Sequence, residues 1–392
     1  MSKYERDEYN YTLPTERIAK YPLARRGDSR LLSYIRGQVQ HFCFSDFPRL
    51  IPTNSQLFYN NSRVIQARLF FRNKTGKHIE AFLLHPASPN HSPQEELSAR
   101  KNTTWVCLIP SPKSWKIGEF LNHVSETKAC FRACRVGTRE VSFHWETEES
   151  FQELTDRIGQ VPLPPYLGRE EDVRDRENYQ TTYAQSSGAV ACPTAGLHFT
   201  DQVWHELAQH HPLNPLTLHV GGGSFLPVKE KDIRNHTMHE EWISIPRKTI
   251  DALLSKNLSN ISVGTTTLRA LESLYWYGAI LEGNPKAPFK IPSDVYTNIK
   301  NDISLEKSLD NVLKNMGPSR KELMGKTRLF IHPPYHFRVS QGLLSNFHQP
   351  GSTLLMLIAA WVGGGQWRPL YEEAIQKGYR FLSYGDACFF LR

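Results

Sequence analysis

The stretch ISVGTTTLRALE, residues 261–272, decides the fold class. A short apolar run, Ile261 to Val263, meets Gly264 and three threonines. A leucine-spaced helix start follows at Leu268. A strand that turns into a helix through a glycine is the joint of an α/β layer. In open α/β sheets, ligands bind beyond the carboxyl ends of such strands. The same alternation recurs along the chain. Helices are predicted over 201–210, 248–256 and 268–277, and short strands over 214–220, 261–263 and 328–331. A last helix at 370–378 leads into a final strand at 379–391. The polar segment 283–325, with one amphipathic stretch at 305–316, reads as an insertion. Residues 67–154 read differently. They hold short β segments at 79–85, 104–109, 129–136 and 140–145, separated by turn signals such as Thr75-Gly76, Gly118 and Gly137. This predicts a small β domain, with the Pro/Ser-rich stretch 86–100 as a flexible surface loop.

Composition narrows the class. Of 392 residues, 39% are hydrophobic and 22% charged, enough for a core and unlike a disordered chain. The longest apolar run, 354–365, is too short to span a membrane. The polar start, 1–14, has no apolar stretch of a secretory leader. Six scattered cysteines therefore read as reduced cytosolic thiols, and Cys130 and Cys134 lack the second pair a zinc site needs. Lys and Arg total 47 against 39 Asp and Glu, a net charge of +8. Arg17, Lys20, Arg25, Arg26, Arg30 and Arg36 cluster, opposed between them only by Asp28. That cluster suits either phosphate neutralisation or an ordinary solvated surface.

Four islands of Gly, His, Thr and Glu are candidates for chemistry. GAVACPTAGLHFT, 188–200, brings small residues, Thr194 and His198 to a helix start. TLHVGGGSFLP, 217–227, places His219 before Gly221, Gly222 and Gly223, whose N–H groups suit an anion. HTMHEE, 236–241, offers two histidines and Glu240 or Glu241. A metal needs a third ligand that this spacing does not fix, so a carboxylate for a hydroxyl or amine is the better reading. Gly264, Thr265 and Thr266 form a polar wall, and Arg269 and Glu272 either pair with each other or face substrate. Asn346 and His348 precede a buried helix, Asp386 needs a buried partner, and Tyr179, Gln180 and the VPLPPY run suit stacking or an entrance. Neither a dinucleotide fingerprint nor a phosphate-binding loop is present.

At these islands the chain resembles the S-adenosylmethionine:tRNA ribosyltransferase-isomerase family of queuosine biosynthesis. The resemblance rests on YNYTLPTERIAKYP and DSRLL, NNSRVIQARL, KTGKHIEAFLL, VPLPPYLGR with NYQTTYA, the four islands, FIHPPYHF, LLSNFHQPGSTLLML and YRFLSYGDA, in order across nearly the whole chain. It implies an α/β class with a barrel-like main domain, 1–66 plus 155–392, carrying an inserted small antiparallel β-barrel domain, 67–154. It implies a cytoplasmic, monomeric transferase and isomerase with no metal. S-adenosylmethionine would donate ribose to 7-aminomethyl-7-deazaguanine at the wobble position of tRNAs with GUN anticodons. The products would be epoxyqueuosine-tRNA, adenine and methionine. Such a reaction needs a base to take a proton from the 5′-carbon, a proton donor for adenine, and polar groups for ribose and carboxylate. On this reading His198 and His219 are proton-transfer groups, with Glu240 and Asp386 holding hydroxyls or the amine. Thr194, Gly221, Gly222, Gly223, Gly264, Thr265 and Thr266 hold the donor. Arg63, Tyr179, Gln180, Arg269, Asn346 and His348 meet the substrate. The chain departs from the family pattern at Pro334, Gln349, Gly351, Cys192 and Cys388. Two alternatives therefore stand beside it, a paralogue using S-adenosylmethionine on another acceptor and a non-catalytic RNA-binding relative.

Overall fold

The computed structural model describes residues 4–123, 131–222, 228–299 and 303–392. Cys130 and Gly223 lie outside them. The main body is a ten-stranded mixed sheet. At its centre Leu213–His219, Ser55–Asn60, Ser259–Val263 and Gly342–Asn346 run parallel, so the sequence-distant islands end side by side. Ala387–Leu391 is antiparallel to Gly342–Asn346 and parallel to Arg30–Ile35. Hydrogen bonding leaves the sheet open, with Lys290–Ile291 and Gln38–Cys43 at its edges. No described helix is long and apolar enough to cross a membrane.

The second body is a closed six-stranded antiparallel barrel, built from strands between Arg68 and Trp145. Period-two alternation closes it. In His78–Pro86, Ile79, Ala81 and Leu83 point inward to meet Phe71, Trp105, Phe131 and Phe143. The expected flexible loop at 86–100 instead contains the helix Pro93–Leu97. Ser92 and Glu95 form a reciprocal capping box, and Leu97 is fully buried against the barrel.

The glycine-to-helix joint stands as expected. Gly264, at φ +90°, turns Ser259–Val263 into the helix Thr265–Gly283, which is buried on nearly every face. The 283–325 segment belongs to the same core. Its helix Leu305–Met316 lies against Thr265–Gly283, with Leu309 and Val312 fully buried. Close approach depends on Gly278, where an added Cβ would sit 2.1 Å from Ser308 Oγ. Two strands are displaced from expectation. The run 328–331 is irregular, with Leu329, Phe330 and Ile331 buried, and the strand is Glu322–Thr327, paired along Glu241–Pro246. There Gly325 leaves room for the Phe289 ring, 2.2 Å from where a Cβ would be. The final strand is only Ala387–Leu391, because 380–386 turns around the Asp386 carboxylate.

Candidate active site

A cavity of about 100 Å³ opens at the carboxyl ends of the central strands. Cys192 and Thr194 come from the first island, Thr265, Thr266 and Arg269 from the helix start, and Asn346 and His348 from the loop after Gly342–Asn346. Tyr179 and Tyr166 close the opposite wall, with the Tyr166 hydroxyl 2.6 Å from Ser383 Oγ. The helix Thr265–Gly283 directs its first-turn N–H groups to this end, where negative charge is favoured.

Three buried polar atoms on this wall have no hydrogen-bond partner among the described residues. They are Thr266 Oγ1, Arg269 Nη2 and Asn346 Oδ1. Arg269 is 4% exposed. Its Nη1 donates to Glu241 Oε2 at 2.6 Å and its Nε to the Leu329 carbonyl at 3.2 Å, which fixes the guanidinium and leaves one arm over. Burying a charged donor without a partner costs free energy, so such an arm is a ligand-binding signature. Asn346 is oriented by His198. Ser29 Oγ donates to the Arg26 carbonyl, so it accepts from His198 Nδ1 at 2.9 Å, and Nε2 then accepts from Asn346 Nδ2 at 3.1 Å. The second amide hydrogen goes to the Leu382 carbonyl, leaving Oδ1 over. Burial, followed by the nearby Arg380 charge, pushes His198 down to about 3, so it is neutral at pH 7. His348 is pushed to about 3 by burial, and its Nε2 lies 2.8 Å from Ser345 Oγ.

The structure thus gathers Thr194, Gly264, Thr265, Thr266, Tyr179, Arg269, Asn346 and His348 around one space. Other expected residues lie elsewhere. Both ring nitrogens of His198 are engaged behind Asn346, off the cavity wall. His219 is buried against Gly188, with its Nδ1 unpartnered among the described residues, and burial lowers it to about 4. Glu240 sits among Lys326, Lys290 and Arg328 away from the cavity. Asp386 accepts from the backbone N–H groups of Arg30 and Arg380. Gln180 pins the backbone of Val64 through both ends of its amide. Arg63 is exposed on the strand Ser62–Val64. Gly221 donates to Glu241 at 3.4 Å, and Gly222 packs under Leu84 of the barrel. His236 pairs with Glu230, so the HTMHEE residues do not converge as a metal set. Arg269 and Glu272 do not pair with each other, since Glu272 accepts from Tyr335 and from the N–H groups of Arg338 and Val339.

The family model described as a queuosine biosynthesis protein matches residues 6–390. The chain belongs to this family. It is 38% identical over 393 residues to the S-adenosylmethionine:tRNA ribosyltransferase-isomerase of Acaryochloris marina, covering 97% of this chain and 91% of that one. The enzyme of the same name from Natranaerobius thermophilus is 37% identical over 392 residues, 98% of each chain. The crystal structure of S-adenosylmethionine tRNA ribosyltransferase from Thermotoga maritima covers 98% of this chain and all of its own, at 25% identity and a TM-score of 0.47.

Within this queuosine-family chain, the residue that sequence reasoning underweighted is Glu241. The strand Glu241–Pro246 puts Glu241, Ile243 and Ile245 on one face, and both isoleucines are core residues. That parity points Glu241 inward and Glu240 outward, and it was readable. The Ser29–His198–Asn346 chain was not, because it joins residues 169 and 148 positions apart.

Proposed function

We propose that this chain transfers and isomerises the ribosyl group of S-adenosylmethionine onto 7-aminomethyl-7-deazaguanine at the wobble position of GUN-anticodon tRNA, in the cytoplasm. The relatives' name supports the donor and the RNA. The observation that carries the reading is the convergence of Thr266 Oγ1, Arg269 Nη2 and Asn346 Oδ1, all buried and unpartnered among the described residues, on one cavity at a helix N-terminus. These residues fit a ligand bearing a carboxylate and hydroxyls. Arg269 and the first-turn N–H groups hold the carboxylate, and Asn346 and Thr266 hold ribose hydroxyls. Glu241 holds the guanidinium in place and aims it. His198 is a positioning residue for the Asn346 amide. His348, whose Nε2 lies against Ser345 Oγ, is the wall imidazole placed to exchange a proton with substrate. The barrel, residues 67–154, is an inserted domain that packs against the loop at Gly222 beside this site.

Single-turnover adenine release tests the roles. His348→Gln lowers the rate by at least tenfold with donor affinity kept. Asn346→Asp and His198→Asn weaken donor binding. His219→Gln leaves the chemical step unchanged. A normal rate in His348→Gln would remove it from proton transfer.

A further inference from the structure

A second cavity, of about 530 Å³, shares no residue with the first. Its walls are Trp276 of the helix Thr265–Gly283, Tyr296, and the FIHPPYHF segment, residues 330–337. That segment lines no part of the first cavity. Rings line it in a continuous chain. Phe330 meets His332 at 5.0 Å between centroids, His332 meets Tyr296 at 5.9 Å, and Tyr296 meets Tyr335 at 4.9 Å. Arg234 and Arg338 also line it; Arg234 lies 4.5 Å over the Tyr4 ring and is held there by Asp232, to which its Nε and Nη2 donate. Ser293 and Asp294 add hydrogen-bonding groups.

The wall is preformed. Glu272, fully buried on the same helix, accepts from the Tyr335 hydroxyl at 2.8 Å and from the N–H groups of Arg338 and Val339 at 3.0 Å. Trp276 Nε1 also donates to the Tyr335 hydroxyl at 2.8 Å. A purely apolar ligand has no use for two guanidinium groups, and a bare anion has no use for a run of rings. Together they match a flat base with a phosphate attached, stacked on rings and Arg planes.

We propose that this cavity receives an unstacked base of the RNA substrate, adjoining the nucleotide that reacts, with its phosphate at Arg234 and Arg338. The proposal rests on the tRNA reading above. Placement favours an RNA neighbour over a free nucleotide. Trp276 lies seven residues, two turns, beyond Arg269 on one helix, about 10 Å by helix rise. His236 of the second cavity and Glu241, which holds Arg269 in the first, come from the single island HTMHEE. A strand whose reacting base enters the first cavity has then to run about two helical turns to bring a neighbouring nucleotide to the second.

The test uses the whole protein and an anticodon stem-loop carrying 2-aminopurine at each position flanking the acceptor. On binding to the unsubstituted protein, one flanking position is quenched by stacking. Tyr296→Ala and His336→Ala relieve that quenching and weaken RNA binding roughly tenfold each, while S-adenosylmethionine affinity stays unchanged. His336 is exposed, so its replacement leaves the fold intact. Tyr296→Phe, which keeps the ring, restores the quenching. RNA binding without quenching at any flanking position, or unchanged affinity in both variants, overturns the proposal. Adenosine monophosphate binding that depends on Tyr296, with RNA affinity insensitive to it, reassigns the cavity to a free nucleotide and likewise overturns it. An unsubstituted protein that binds no stem-loop at all refutes the tRNA reading itself, and this inference falls with it.

Discussion

Replacing Arg269 by lysine probes the first cavity most sharply. The substitution keeps a positive charge beside Glu241 but removes the fork. One guanidinium arm is bound to Glu241 at 2.6 Å and the Nε to Leu329 at 3.2 Å, so only Nη2 remains for a ligand. A lysine ammonium that keeps the Glu241 contact cannot also reach along that second direction. The loss is one charge-assisted hydrogen bond, about 1.5–3 kcal/mol, or roughly 10- to 150-fold in donor affinity. Titration calorimetry with two ligands separates this from a general loss of shape. S-adenosylmethionine has the carboxylate, and 5′-methylthioadenosine lacks the whole amino-acid arm. Arg269→Lys weakens the first by that factor and leaves the second within about twofold. Equal weakening of both ligands, or of neither, would refute the assignment of Nη2 to a carboxylate.

Further outcomes follow from the packing and charges. Gly278→Ala drives a methyl into Ser308, so it costs about 1–3 kcal/mol and lowers the melting temperature, whereas Gly283→Ala, with open space around it, does not. His198 is held near 3 when folded and returns to its ordinary value when unfolded, so the unfolded chain takes up an extra proton between these values. Its contribution to stability is therefore present above pH ~6.5 and lost as pH falls. His198→Asn lowers the slope of stability against pH between 5 and 6 by about 1.2 kcal/mol per unit, and an unchanged slope contradicts burial of a neutral ring. In the basic cluster, Arg26 latches onto the carbonyls of Gln180 and Glu177, and Arg30 onto that of Lys377, while Lys20 and Arg25 are exposed. Charge reversal at Lys20 and Arg25 lowers the salt dependence of RNA binding if they meet phosphates, and an unchanged slope returns them to ordinary surface.

What the sequence made legible follows from the range of each signal. The joint at Gly264 and the alternation in His78–Pro86 are local patterns, and both the α/β class and the small β body were readable from them. The capping box Ser92–Glu95 is equally local and outranked the polar composition that suggested a loop. The site was half legible. Thr265, Thr266, Arg269, Asn346 and His348 stand at strand ends, where α/β sheets gather ligands, and they do meet. His198, Asp386 and Gln180 carry the same residue chemistry but spend it on the protein itself, on Asn346, Arg30 and Val64. Only the tertiary partner separates the two uses.

The most direct measurement is adenine release by the purified chain, followed by chromatography with S-adenosylmethionine and tRNA bearing 7-aminomethyl-7-deazaguanine at the wobble position. The account predicts adenine and methionine in equal amounts to ribosylated tRNA, with none released when the tRNA carries unmodified guanine. Donor binding without adenine release under that acceptor, or release that ignores the acceptor, would contradict it.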